Sequence, residues 1–177
     1  MAQRNIELKA RLHDREKAIR ISQKLGARLE GDIHQRDTYF QVPTGRLKLR
    51  ESDPGDDYLV FYRRPDKATA KGCDYTIAAV DAATRDVLLQ SLDTLGVVDK
   101  VRTLYLWENV RIHLDVVTGL GSFIEFEAVL SEDHDDSDGF AKVEQLQSAF
   151  DLRPEDIQKT SYLEMLHQAD SGQANDR

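Results

Sequence analysis

A single cysteine, Cys73, stands among the 177 residues, so no internal disulfide can form and no thiolate cluster can hold a metal. A lone thiol of this kind reads as a buried, inert side chain. No apolar run approaches the roughly 20 residues of a membrane-spanning helix. The first residues enter a charged strand pattern, with no secretory apolar segment. A cytoplasmic protein with no membrane partner is expected. Positive charge is also in deficit: 24 Lys and Arg against 32 Asp and Glu give a formal net charge of −8. Such a chain lacks the broad basic surface from which non-specific nucleic-acid binding draws its affinity, so nucleic acid is not an expected partner. Any basic site must be local and screened from an acidic exterior.

What is present is ordinary for a soluble protein, 40% apolar and 32% charged. The length suits one well-cored domain, or one built from two similar halves. The expected bounds are 1–170. Residues 171–177 lack apolar anchors and read as a disordered tail.

The hydropathy pattern alternates with period two over much of the chain. Asn5 to Leu12 has Ile6, Leu8, Ala10 and Leu12 on one face and Glu7, Lys9 and Arg11 on the other. Asp14 caps a helix with Ala18, Ile21 and Leu25 in a stripe that Gly26 stops. Strands are expected over His34–Phe40, Arg46–Glu51 and Tyr58–Arg64, with turns at Pro43-Thr44-Gly45 and Asp53-Pro54-Gly55-Asp56. Asp66–Gly72 reads as a loop and Cys73–Ile77 as a short strand. Asp81 caps a second helix, with Leu88, Leu92 and Leu95 on one side and Gly96 as its stop. Val97–Trp107 returns to strand. The acidic stretch Ser131–Asp138 lacks the spacing of a calcium-binding EF-hand loop and reads as solvated surface. A third helix uses Phe140, Val143, Leu146 and Phe150, and after Pro154 the residues Tyr162, Met165 and Leu166 are placed to dock on the body. Two stretches echo one another: Gly26, Asp37-Thr38-Tyr39-Phe40 and Arg46–Arg50 against Gly96, Arg102–Tyr105 and Arg111–Asp115. A duplicated half is suspected.

The chemistry concentrates in Val110–Val129, two arms joined through Gly119-Leu120-Gly121. Ile112, Leu114 and Val116 alternate with Arg111, His113 and Asp115; Ile124, Phe126 and Ala128 alternate with Phe123, Glu125 and Glu127. Glu125 and Glu127 therefore point the same way, one pleat apart, and a divalent cation is one remedy for their repulsion. Arg111 and His113 suit ion pairs with such acids. Lys48 and Arg50, Lys100 and Arg102, and Arg63 or Arg64 add cations to other polar strand faces. Helices with apolar stripes must cover the apolar strand faces, which turns the charged faces inward. Enclosed charge in that amount requires an anionic guest. Arg and Lys suit phosphate oxygens, and paired acids suit Mg²⁺ or Mn²⁺. With no phosphate-binding glycine loop in the chain, phosphate would be held by side chains.

Asn5-Ile6-Glu7-Leu8-Lys9, Gln35-x-Asp37-Thr38-Tyr39-Phe40, Gly45–Glu51, Tyr62-Arg63-Arg64-Pro65, Lys100-Val101-Arg102 and Leu114-Asp115-x-Val117-x-Gly119-Leu120-Gly121-x-Phe123-x-Glu125-x-Glu127 resemble, in that order, the CYTH superfamily of triphosphate tunnel metalloenzymes. The last motif and Asp37–Phe40 look most like its class IV adenylyl cyclase branch. The resemblance covers residues 4–168. It implies an α+β fold, an eight-stranded antiparallel β-barrel or tunnel with helices packed outside. It implies metal ligation by Glu7, Glu125 and Glu127, with Asp115 a further contributor. It implies phosphate contacts from Lys9, Lys48, Arg50, Arg63, Arg102 and Lys159, which Arg111 would join. Lys9 and Tyr39 are the candidate catalytic pair, whose contact would orient or activate water. Two departures stand out: Asn5 replaces the first acid of the family's Glu-x-Glu-x-Lys signature, and Arg63-Arg64 replaces Lys-Gly.

The leading expectation is a Mg²⁺- or Mn²⁺-dependent enzyme that converts ATP to cyclic AMP and pyrophosphate. The alternative is hydrolysis of inorganic triphosphate (tripolyphosphate), thiamine triphosphate or a nucleoside triphosphate. A third, of another class, is a polyphosphate- or nucleotide-binding module with little turnover. A homodimer is left open.

Overall fold

The computed structural model describes residues 3–63 and 70–174. Eight strands close into an antiparallel barrel, β1 Gln3–Arg11, β2 Arg28–Phe40, β3 Arg46–Asp53, β4 Tyr58–Arg63, β5 Lys71–Ala79, β6 Thr94–Trp107, β7 Val110–Val117 and β8 Gly121–Val129. Their order around the wall is β1-β5-β4-β3-β2-β6-β7-β8, with β8 returning to β1. Four helices accompany them: α1 Arg15–Lys24, α2 Ala82–Ser91, α3 Asp136–Ala149 and α4 Tyr162–Ala174. Asp14, Asp81 and Asp135 cap the first three through side-chain bonds to backbone N–H groups. Closure leaves no sheet edge for another chain to extend. No helix among the described residues is long and apolar enough to cross a membrane.

The strand order makes the suspected repeat concrete. Each half runs strand, helix, then a three-stranded meander, β1-α1-β2-β3-β4 and β5-α2-β6-β7-β8. Across the halves, β1 pairs β5 and β2 pairs β6. One constant sequence offset carries Gln35 onto Lys100, Asp37 onto Arg102, Lys48 onto His113 and Arg50 onto Asp115.

The apolar faces of β1, β7 and β8 turn outward beneath helices. Ile6, Leu8, Ala10, Ile112, Leu114, Ile124, Phe126 and Ala128 form one buried cluster with Ala18 of α1 and Val143, Leu146 and Phe150 at α3. Phe126 and Phe150 rings lie 5.3 Å apart at that junction. A second cluster closes one end of the barrel: Val98, Val117 and Phe123 meet Tyr162, Leu163 and Met165 of α4. With apolar residues facing out under helices, the polar residues of the same strands face in. The enclosed charge expected from the sequence is therefore found.

Some boundaries differ from the sequence pattern. β2 begins at Arg28 rather than His34, and its pairing with β6 shifts register between Leu29 and Gly31. Such a bulge breaks the period-two pattern and hides the strand's first half. The second helix ends at Ser91, Leu92 is extended, and Leu95 and Gly96 belong to β6. There Tyr39 pairs Gly96 and Phe40 pairs Thr94, leaving Leu95 at a bulge. The ladder with β2 takes these residues from the helix. α4 continues through Ala174, so the expected disordered tail is helical over Ser171–Ala174. Its last three positions lie outside the described residues, as do Arg64, Pro65 and most of the expected Asp66–Gly72 loop.

Candidate functional site

Alternation on closed strands sends every second side chain into one cavity of about 390 Å³. β1 contributes Asn5, Glu7 and Lys9; β8 contributes Glu125 and Glu127; β7 contributes Arg111 and His113. Register sets them in rows across the wall. Glu7 lies opposite Glu127, and Glu127 opposite Arg111. One pleat further, Lys9 lies opposite Glu125, and Glu125 opposite His113. Lys48 and Arg50 of β3, Lys100 and Arg102 of β6, and Gln35, Asp37 and Tyr39 of β2 complete the charged and polar lining. The β4–β5 wall differs in kind: Tyr58, Val60, Tyr62, Cys73, Tyr75 and Ile77 bring no charge at neutral pH.

Two buried acids organise the cations. Asp37 accepts from Arg50 through Nε at 2.6 Å and Nη2 at 2.5 Å, and from Lys48 Nζ at 2.7 Å. Asp115 accepts from Arg102 through Nε and Nη2, both at 2.7 Å, from Lys100 Nζ at 2.9 Å and from Tyr162 OH at 3.0 Å. The two clusters sit at equivalent places in the two halves with their signs exchanged: acid on β2 and Arg on β3, Arg on β6 and acid on β7. Burial works against the charge of Asp37, but Arg50 and Lys48 outweigh it and hold the carboxyl far below its usual range. Burial likewise opposes the Asp115 charge and is overcome by Arg102 and Lys100.

Lys100 is the exception among the cations. Burial, then the neighbouring Arg102, lower its pKa to about 7 despite the bond to Asp115. Its ammonium is therefore half-protonated near neutrality. Arg102 also donates from Nη2 to Glu125 Oε2 at 2.8 Å. For Glu125, burial favours the acid form, but Lys9, the adjacent His113 imidazole and Arg102 hold it well below the usual carboxylate range. Burial and Arg102 push His113 toward the neutral form.

The residues named from sequence distribute unevenly. Glu7, Lys9, Tyr39, Lys48, Arg50, Arg102, Arg111, Glu125 and Glu127 all line the cavity. Asp115 does not: it is fully buried behind Lys100 and Arg102, with its oxygens engaged by four side-chain donor contacts. Its geometry is that of a residue holding two cations in place, rather than of a metal ligand. Arg63 is exposed on the outer face, because Tyr58, Val60 and Tyr62 take the inward positions of β4; its guanidinium lies 5.7 Å from the Phe61 ring. Lys159 is exposed in the segment before α4 and is absent from the cavity lining. Three lining residues matter more than the sequence suggested. Asp37 lay in a quoted motif with no role of its own, and Lys100 was counted among the inward cations but not among the named phosphate contacts. Tyr162 read as a docking residue, yet its ring lies 4.0 Å beneath Lys9 Nζ and its hydroxyl reaches Asp115.

A divalent cation fits this donor set. Glu125, Glu127 and His113 each offer a ligand atom, all within 4.8 Å of one another. Glu7, opposite Glu127 in register, stands outside that trio but lines the same cavity. Asn5 also lines it, with a buried Oδ1 that lacks a hydrogen-bond partner.

Known proteins agree with this architecture. A Methanocaldococcus jannaschii protein named "Putative adenylate cyclase" is 24% identical over 171 residues, 90% of this chain and 97% of that one. A solved structure from Pyrococcus horikoshii OT3 superposes with a TM-score of 0.77 at 26% identity, over 90% of this chain and 98% of that chain. A Hippeastrum protein described as having a dominant triphosphatase activity shares the fold, with a TM-score of 0.61 at 16% identity over 93% and 95% of the two chains. The family model for the CYTH domain matches residues 3–162, and with the closed barrel and its charged cavity this chain belongs to the CYTH domain family.

Proposed function

We propose that the protein is a divalent-metal-dependent enzyme acting on a nucleoside triphosphate, with cyclisation of ATP to cyclic AMP and pyrophosphate as its reaction. The observation that carries this is the two-sided cavity. Lys48, Arg50, Lys100, Arg102 and Arg111 present donors suited to phosphate oxygens. The β4–β5 wall presents Tyr58, Tyr62 and Tyr75 with Val60 and Ile77, a surface suited to a base and sugar rather than to further phosphate. In the barrel order this wall stands across from β6 and β7, which carry Lys100, Arg102 and Arg111. A nucleoside triphosphate uses both sides; inorganic triphosphate uses one. The name of the M. jannaschii relative points the same way.

When bound, a divalent cation at Glu7, Glu125 and Glu127 would neutralise phosphate charge and stabilise the charge that develops in the transition state. The protein's own groups do the remaining work. Lys48 and Arg50, already fixed by Asp37, and Arg102, fixed by Asp115, meet phosphate without first having to be ordered. Lys9, held between Glu125 at 3.5 Å and the Tyr162 ring, is placed to steady the attacking oxygen, with Tyr39 across the cavity on β2.

Hydrolysis would use the same grip with water as nucleophile, as the description of the Hippeastrum protein suggests for that protein. One incubation decides between them: purified protein with Mg²⁺ or Mn²⁺ and ATP, GTP, thiamine triphosphate or tripolyphosphate, products separated by chromatography. Cyclic AMP with pyrophosphate supports the proposal. Orthophosphate with ADP, or turnover of tripolyphosphate in preference to ATP, replaces it with a triphosphatase. Binding without turnover of any of the four makes the protein a sensor module.

A further inference from the structure

The imidazole of His113 is the most conspicuous unspent donor in the cavity. The residue is 2% exposed, lines the cavity, and its Nδ1 is buried with no hydrogen-bond partner. Buried histidine nitrogens are ordinarily satisfied, so an orphan calls for an explanation. Here Nδ1 faces two carboxylates at separations too long for a hydrogen bond: 3.6 Å to Glu125 Oε2 and 3.9 Å to Glu127 Oε1. The all-core reading of this histidine would need a nearby acceptor or donor, and the ladder gives it Glu125 on one side and Leu104 on the other. One ligand atom from each of His113, Glu125 and Glu127 lies within 4.8 Å of the other two, a spacing from which a single cation can draw all three. With metal–ligand bonds of about 2.1 Å, ligands stand about 3 Å apart when adjacent and just over 4 Å when opposed, so a small side-chain contraction closes the shell. Arg102 occupies one lone pair of Glu125 Oε2, and a carboxylate oxygen has another to give.

We propose that His113 coordinates the catalytic cation directly through Nδ1, together with Glu125 and Glu127, and that this nitrogen makes the site prefer a transition-metal dication such as Mn²⁺ over Mg²⁺. The inference rests on the metal dependence argued above and adds the identity of one ligand and the class of ion. Mg²⁺ is a hard cation that takes oxygen ligands, whereas imidazole nitrogen favours first-row transition metals. An all-oxygen site built from Glu7, Glu125 and Glu127 would carry no such preference. His113 lines the same cavity as Asn5, the position where an acid is replaced by a neutral amide. The neutral imidazole restores a donor without restoring a charge.

The test is spectroscopic and needs no turnover. Mn²⁺ alone is added to the purified native protein, binding is measured by electron paramagnetic resonance, and pulsed measurements read nitrogen coupling to the bound ion. Directly coordinated imidazole nitrogen is expected in the native protein and lost in His113→Gln. In that variant Mn²⁺ should bind at least about tenfold more weakly, the scale of loss seen when metal-site partners are removed. Mg²⁺ affinity, read by competition, should change by no more than about threefold, because Mg²⁺ relies on oxygen. Bound Mn²⁺ without nitrogen coupling in the native protein overturns the inference and leaves a carboxylate site standing. Coupling that persists in His113→Gln also overturns it. Failure of the native protein to bind Mn²⁺ at all overturns both this inference and the metal dependence proposed above. Should the variant fail to fold, the spectrum of the native protein alone decides.

Discussion

At the scale of single residues the cavity is governed by who compensates whom. Glu125 is 7% exposed and contacts Lys9 and Arg102, so its charge is part of the folded structure as well as of the proposed metal site. Glu125→Gln should abolish metal-dependent turnover and also lower stability by about 3 kcal/mol, the usual cost of removing one partner of a buried ion pair. Because its folded pKa is depressed, the stabilisation is present above the unfolded value and disappears as pH falls through the folded one. Chemical denaturation at pH 7 and again in acid checks both parts, and an unchanged midpoint at pH 7 would contradict the argument. Lys100 has linkage of the same sign at higher pH, set by burial rather than by an ion pair. Its folded pKa of about 7 lies below the ordinary lysine value of 10.5, so between those values the unfolded chain binds more protons and stability rises with pH. A triphosphate favours the ammonium form, so binding should take up a proton near neutrality. Affinity should fall by up to roughly tenfold per pH unit above 7. Calorimetry in two buffers of different ionisation enthalpy measures that uptake; equal apparent enthalpies would refute it.

At the scale of elements, α3 and β4 carry contrasting expectations. Gly139 near the start of α3 packs so closely that an added Cβ would meet Ile6 Cγ1 at 2.7 Å and Leu130 Cδ2 at 2.8 Å. Helical conformation allows alanine there, and alanine is the better helix former. The close approach to β1 decides the sign. Gly139→Ala should destabilise by about 1–3 kcal/mol, the range for overpacking a filled core, and thermal melting reads it. Activity per folded molecule should stay close to native, since α3 lies outside the barrel. β4 gives a negative expectation. Arg63 faces outward, so Arg63→Ala should leave the Michaelis constant for a triphosphate within about twofold, the small effect of an exposed charge. A large rise would return Arg63 to the phosphate site that its sequence motif suggested.

For the whole molecule, the barrel balances its charge internally before any ligand arrives. Lys48 and Arg50 share Asp37, and Lys100 and Arg102 share Asp115. A triphosphate with metal should stabilise the folded state by mass action, by about 2.7 kcal/mol at a ligand concentration one hundred times its dissociation constant, and so raise the melting temperature. Added salt should reduce the gain, as screening weakens an anion's attraction to partly exposed cations. No shift with any triphosphate at millimolar concentration would count against the cavity as the binding site. Much of this was legible in the sequence, because local rules suffice for it. Period-two alternation placed most strands, aspartate caps placed two helix starts, and apolar stripes required covered strand faces; the third cap, Asp135, lay in the stretch read as an acidic loop. The inward turn of Glu7, Lys9, Lys48, Arg50, Arg102, Glu125 and Glu127 followed. Bulges hid the first half of β2 and the true start of β6, since one extra residue shifts the alternation that pattern reading depends on. Only the closed barrel decided the rest. It set Asp115 behind Lys100 and Arg102, turned Arg63 outward, slid Tyr162 of a distant helix beneath Lys9, and left His113 facing two carboxylates. Those outcomes depend on which strands become neighbours across the wall, and neighbour identity is a property of the tertiary structure that no stretch of sequence carries alone.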